Sequence, residues 1–281
     1  MTTLERIGFM QGRLSAMVDG KIQAFPWNEW REEFPRAQAL GLPRIEWTID
    51  QDRLRENPLN TAAGQQEIIE LSRRHALKPA SLTGDCFMQA PFWKADGETQ
   101  KSLVADLDLV LASCSMLGIE FVVIPLVDNG RIDNPTQTET LLRVLLDRAS
   151  LLSKQGVKIV FESDLPPAPL AQFIDKFPRE VFGINYDSGN SAALGYDSAK
   201  EISAYAPRIL NVHVKDRLLG GTTVPLGTGA ADLAKAIRLI EQSGYRGQYV
   251  LQTARATDGD HAGVLAQYRD MTVRWIEDAG R

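Results

Sequence analysis

Eight short apolar runs, each followed by a longer amphipathic segment, recur along the whole 281-residue chain, and this alternation limits the possible folds more than any other feature. The runs are IGFMQGRL from Ile7, RIEWTID from Arg44, KPASLTGDCF from Lys78, FVVIPLV from Phe121, VKIVFESDL from Val157, VFGINYDSGN from Val181, ILNVHVKDR from Ile209 and GQYVLQTAR from Gly247. Strands that alternate with helices pair in parallel, because the helix carries the chain back across the sheet. Eight such units are enough to close a (β/α)8 TIM barrel. An open doubly wound sheet is the alternative, but the first strand–helix turn lacks its G-x-G-x-x-G phosphate loop. Gly41, Gly118, Gly156 and Gly244 follow helical segments where left-handed caps are expected. No Pro/Ser-rich linker interrupts the pattern, so a single domain over residues 1–281 is expected.

The net charge is −5, and no Lys/Arg cluster is long enough to follow a phosphate backbone, which argues against a nucleic-acid partner. No apolar stretch is long enough for a bilayer, and MTTLERIGFMQGRLS lacks the profile of a signal peptide. Cys86 and Cys114 have neither metal-ligand spacing nor a disulfide pattern. A reduced, cytoplasmic protein is expected, with a small carbohydrate as partner, a homo-oligomeric state and no membrane contact.

Side chains alternate across a strand, so each run divides into a helix-facing and an interior set. On the seventh run Leu210, Val212 and Val214 suit the helix layer, which leaves Asn211, His213 and Lys215 inside. The same parity turns Glu162 inward on the fifth run, Asn185 and Asp187 on the sixth, Glu46 and Thr48 on the second, and Gln248 and Gln252 on the eighth. Barrel interiors are normally filled with branched apolar residues. Charged groups placed there need partners, and one divalent cation would satisfy Glu162, Asp187, His213 and the Gln252 oxygen together. An oxygen-rich set with one nitrogen suits Mn²⁺ or Mg²⁺, with Zn²⁺ or Co²⁺ as alternatives. A plain Glu162–Lys215 ion pair is the competing structural explanation.

VFESD, NYDSGN, NVHVKDR and VPLGTG resemble the xylose-isomerase-like TIM barrel superfamily of sugar and sugar-phosphate isomerases and epimerases, and the resemblance covers nearly the whole chain. It implies that Glu162, Asp187, His213 and the strand 8 side chain bind one divalent metal. It also implies that the strand 5 and strand 8 carboxylates act as the two bases beside a carbonyl. The chain departs from the pattern twice: Gln252 replaces the strand 8 Glu, and Asn190 stands where the family often has His. An amide oxygen can still bind a metal, but it accepts no proton at neutral pH.

The expected function is therefore a metal-dependent isomerase or epimerase of a sugar, sugar phosphate or polyol-derived ketone, working through an enediolate. Glu162 is the expected base, and Glu46, Asp164, a bound water or the substrate itself is the expected second proton carrier. A dehydratase or lyase on a related substrate is one alternative. A sugar-binding barrel without turnover is another, favoured by the loss of the second base. Glu46, Asn190, Lys215, Arg217 and Arg255 are the candidate substrate contacts, and Gln11 and Arg13 are weaker ones. Glu46 has a structural explanation too, an ion pair with Arg13 or Arg255. The LGTG loop before a helix is a candidate anion cradle.

Overall fold

The computed structural model describes residues 2–280. Eight parallel strands close into a barrel in chain order: β1 (Ile7–Met10), β2 (Arg44–Thr48), β3 (Lys78–Thr83), β4 (Phe121–Leu126), β5 (Lys158–Ser163), β6 (Phe182–Asp187), β7 (Ile209–Val214) and β8 (Tyr249–Leu251). β8 pairs with β1, which completes the ring. Helices lie between the strands, among them Ala62–His75, Gly97–Leu117, Leu233–Gln242 and His261–Ala279. None of the described helices is long and apolar enough to cross a membrane.

The outward parity holds at the assigned positions except Leu210. There β6 and β7 shift register between Ile184 and Asn185, Ile209 joins the core in its place, and the Leu210 side chain packs where a Cβ on Gly183 would lie. Ile45 and Trp47, Ile159 and Phe161, Phe182 and Ile184, and Val212 and Val214 are all buried and join the core between barrel and helices. Removing this surface from water supplies the main drive for closure. The four capping glycines have φ of 67°, 67°, 67° and 91°, the left-handed conformation that glycine adopts without a Cβ penalty.

Strand ends differ from the sequence reading at the mouth. The third run stops at Thr83, and Asp85–Gln89 is a short helix. The sixth stops at Asp187, whose carboxylate caps the helix Ser188–Ala193 by accepting from the Asn190 N–H. The eighth keeps only Tyr249–Leu251 as strand. Asp187 thus takes over a backbone group that the ladder no longer pairs, while the Gly84 N–H and Gln252 N–H still donate to the Val123 and Val214 carbonyls of neighbouring strands. The segment TETLLRVLLDRASLLSKQG divides into helices Pro135–Leu146 and Ala149–Gln155.

The interior is polar to an unusual depth. Asn211 Nδ2 donates to Glu46 Oε2 at 3.0 Å and to Asn185 Oδ1 at 2.9 Å, while Gln248 Nε2 donates to Ser81 Oγ and Asn211 Oδ1. This network lies beneath the groups at the barrel mouth and fixes their orientation.

Candidate metal centre and active site

β5, β6 and β7 bring Glu162, Asp187 and His213 together at the C-terminal mouth, where one donor atom from each lies within 4.8 Å of the others. His213 Nδ1 is 3.1 Å from Glu162 Oε2 and 3.8 Å from Asp187 Oδ2. Atoms bound about 2.0–2.2 Å from one ion lie within roughly 4.4 Å of one another, so both spacings fit a shared cation. Two carboxylates and one imidazole are also an appropriate donor set for a divalent metal.

Glu46 departs from its expected role. It is fully buried and makes no contact with either arginine considered as its partner. His213 Nε2 lies 2.7 Å from its Oε1, Ser81 donates to Oε2 at 2.6 Å, and Thr83 and Asn211 complete the set. With every lone-pair direction engaged, Glu46 has no reach to a substrate or a travelling proton. It holds the far side of the imidazole and leaves Nδ1 facing Glu162 and Asp187. Carboxylates behind metal-binding histidines commonly have this role.

Charges explain the protonation preferences. Burial alone would lower the His213 pKa, but the Glu46 charge and hydrogen bonds to Asp187, Glu162 and Glu46 hold it well above its ordinary value. Burial would raise Glu46, and the His213 charge with bonds from His213, Ser81 and Thr83 brings it below the usual carboxylate range instead. Asp187 opposes its own burial through Lys215, His213 and the Asn190 N–H, and falls to about 2. This pocket therefore favours positive charge, which a proton or a metal cation supplies.

Lys215 is the central cation of the mouth. Its Nζ donates to Asp187 Oδ2 at 3.4 Å, Asn190 Oδ1 at 3.3 Å and Gln252 Oε1 at 3.3 Å. The competing Glu162–Lys215 pair does not form; Asp187 is the lysine's carboxylate. Gly189 makes this approach possible, since a Cβ there would lie 2.6 Å from Lys215 Cγ. Arg217 Nη1 also donates to Asn190 Oδ1, at 2.8 Å. Both cations can only donate, so the Asn190 oxygen faces them and its Nδ2 is turned to Glu162 Oε1 at 2.6 Å.

The same logic orients Gln252. Its oxygen faces the Lys215 ammonium, as Asp187 Oδ2 does. Its Nε2 then donates to Gln23 Oε1 at 2.9 Å, and Gln23 Nε2 donates to Asp85 Oδ2 at 2.7 Å. A donor-only lysine at one end and a carboxylate at the other fix the direction of both amides. Neither Gln23 nor Asp85 was read as a site residue. The visible signal was the polar TGD ending of the third run, but Gln23 reaches the mouth from a long loop whose path the sequence leaves open.

Arg255 is corrected as well. It donates to the Ser15 and Ile22 carbonyls and so ties down the loop after β1. Arg13 does similar work through the Thr253 and Ile22 carbonyls. Gln11 Oε1 accepts from the Thr48 N–H. The LGTG loop carries its own anion: buried Asp216 accepts from the N–H groups of Gly227, Gly229 and Ala231. Phe92 and Trp93 are buried and pack edge to face at 5.0 Å, as anchors of their loop. Asp164 is held by Arg131 Nε at 2.6 Å. A cavity of about 240 Å³ opens beside Asn190 and is lined by Arg131, Asp164 and Arg217 among others.

Residues 34–272 match the sequence profile of the xylose isomerase-like TIM barrel family. The chain belongs to that family. By sequence it is similar to the L-ribulose-5-phosphate 3-epimerase UlaE of Escherichia coli O1:K1 / APEC, 24% identical over 269 residues that cover 92% of this chain and 94% of the relative. Among solved structures it is similar to the IOLI protein with a bound zinc atom, with TM-score 0.75, 18% identity and coverage of 98% and 99%. It is also similar to L-ribulose 3-epimerase, with TM-score 0.71, 17% identity and coverage of 100% and 96%. The chain is isomerase- and epimerase-like.

Proposed function

We propose that the chain is a divalent-metal-dependent epimerase or isomerase of a ketose or ketose phosphate, moving a proton on the carbon next to the carbonyl. The observation that carries this reading is the convergence of Glu162, Asp187 and His213 at the barrel mouth, with His213 fixed from behind by Glu46. Those three residues would hold the cation, with Mn²⁺ or Mg²⁺ favoured over Zn²⁺ or Co²⁺ by the two oxygen donors. When bound, such an ion supplies Lewis acidity that makes the neighbouring C–H easier to ionise.

Glu162 serves as the base. Asn185 and Asn190 donate to its two oxygens at 2.9 and 2.6 Å, which fixes the orientation of the carboxylate. Lys215 and Arg217 donate to substrate oxygens near Asn190, and the cavity beside Arg131 takes the far end of an open-chain ketose. Glu46 is withdrawn as second proton carrier, since four donors hold both of its oxygens; Asp164 is engaged at Oδ2 by Arg131.

The test is solvent exchange. Protein saturated with Mn²⁺ is incubated in D₂O with L-ribulose 5-phosphate, L-ribulose and other ketopentoses and ketohexoses, and NMR follows deuterium at the carbon beside the carbonyl. Exchange with at least one ketose is expected, together with its loss in Glu162→Gln for the epimer whose proton Glu162 takes. Binding without exchange across the panel would overturn the enzymatic reading in favour of a sugar-binding barrel.

A further inference from the structure

An epimerase must return a proton to the face opposite the one it deprotonates, and strand 8 of this chain ends in an amide that cannot do so. The amide relay leads away from that amide to a carboxyl just past the end of β3, separated by β4 from the strand of Glu162: Gln252 donates to Gln23, and Gln23 donates to Asp85. We propose that Asp85 is the second proton carrier, working across the substrate from Glu162; this rests on the epimerase reading above.

Three observations converge on Asp85. It is 7% exposed at the mouth, and among the described residues it has no ion-pair partner. Only Oδ2 is held, by Gln23; Oδ1 makes no hydrogen bond among the described residues and remains available to a ligand. The side chain is not used for capping either, because Gly84 is the N-cap of the helix that Asp85 begins, and no side-chain bond caps it. The charged groups it senses are Asp50, Glu162 and Lys215. Burial first, then the Asp50 and Glu162 charges, raise it to about 7 against the Gln23 bond and Lys215. A carboxyl poised there exists in both the acid and base forms that a two-way reaction needs.

The proton balance is simple. Glu162 takes the proton from one face, and the C–H electron pair enters the enediolate. Asp85 in its acid form then gives a proton to the same carbon from the other face. The cycle leaves Glu162 protonated and Asp85 ionised, and exchange with solvent restores both. In the reverse direction the two residues exchange roles.

The experiment uses full-length Mn²⁺-loaded protein in D₂O, with the ketose that the wild type epimerises, L-ribulose 5-phosphate first. Each epimer is supplied separately, and NMR reads deuterium incorporation and inversion independently. Asp85→Asn is expected to lower inversion at least 100-fold while one epimer still exchanges its proton through Glu162. Glu162→Gln is expected to leave exchange only on the other epimer. Asp85→Glu is expected to recover part of the inversion, and it carries the test if Asp85→Asn does not fold. Inversion within threefold of wild type in Asp85→Asn would overturn the assignment alone. Equal loss of exchange on both epimers, with native Mn²⁺ affinity, would also overturn it, because a positioning residue gives no epimer bias. A wild type that exchanges no ketose would overturn the proposed function and this assignment with it.

Discussion

Glu33 lies buried beneath the loop that follows β1, and its titration should be visible in the stability of the whole barrel. Its Oε1 accepts from the N–H groups of Gly12 and Leu14, both at 2.9 Å, and Oε2 accepts from Gly12 at 3.0 Å. Burial outweighs these bonds and raises the carboxyl from 4.5 to about 7. The folded protein therefore keeps a proton that the unfolded chain releases between those two values. Where the unfolded state binds fewer protons, stability falls as pH rises. The contribution is complete below 4.5 and is lost as pH climbs through about 7, and the difference corresponds to roughly 3 kcal/mol at about 1.36 kcal/mol per pH unit. Glu33→Gln cannot titrate, and its oxygen can still take both bonds that Oε1 accepts. Urea unfolding of both proteins at pH 4, 5, 6, 7 and 8, with chelator present throughout, isolates the effect, because the other groups cancel in the difference. The wild type is expected to lose on the order of 2–4 kcal/mol relative to the variant between pH 4 and 8. A difference that stays flat, or that moves in favour of the wild type as pH rises, would refute the assignment of a protonated Glu33.

Glu46→Gln should weaken Mn²⁺ binding about 10–100-fold by loosening His213, as measured by calorimetric titration; unchanged affinity would mean that Glu46 does not orient the imidazole. Gly189→Ala should destabilise the barrel by about 1–3 kcal/mol in chemical unfolding, because the new methyl meets the Lys215 stem. Arg255→Ala should lower stability by about 1–3 kcal/mol through its two lost carbonyl contacts, while the KM for the active ketose stays within about twofold. A large rise in KM would return Arg255 to the substrate contacts.

Alternation along single strands was legible in the sequence because it depends only on the two-residue repeat of a strand. Glu162, Asp187 and His213 could therefore be placed on one mouth from parity alone. Partnerships between distant strands were not legible. The approach of Glu46 to His213 depends on how far β2 is staggered against β7, and no local pattern encodes that stagger. Parity places Gln252 at the mouth, but the partners of its amide, Lys215 and Gln23, come from other elements that no local pattern reveals. Asp85 looked like the tail of a strand because the switch from β3 to helix takes place within TGD. The LGTG loop has the composition of an anion cradle, and its occupant, Asp216, is a residue of the same chain.

Amides at neutral pH neither give up nor take up a proton. Gln252 and Gln23 thus act as an insulating spacer between the Lys215–Asp187 end of the mouth and Asp85. Orientation passes along the spacer, whereas a proton does not. The Glu162 and Lys215 charges still reach Asp85 through space, and a carboxylate substituted for either amide would open a proton path between the two ends.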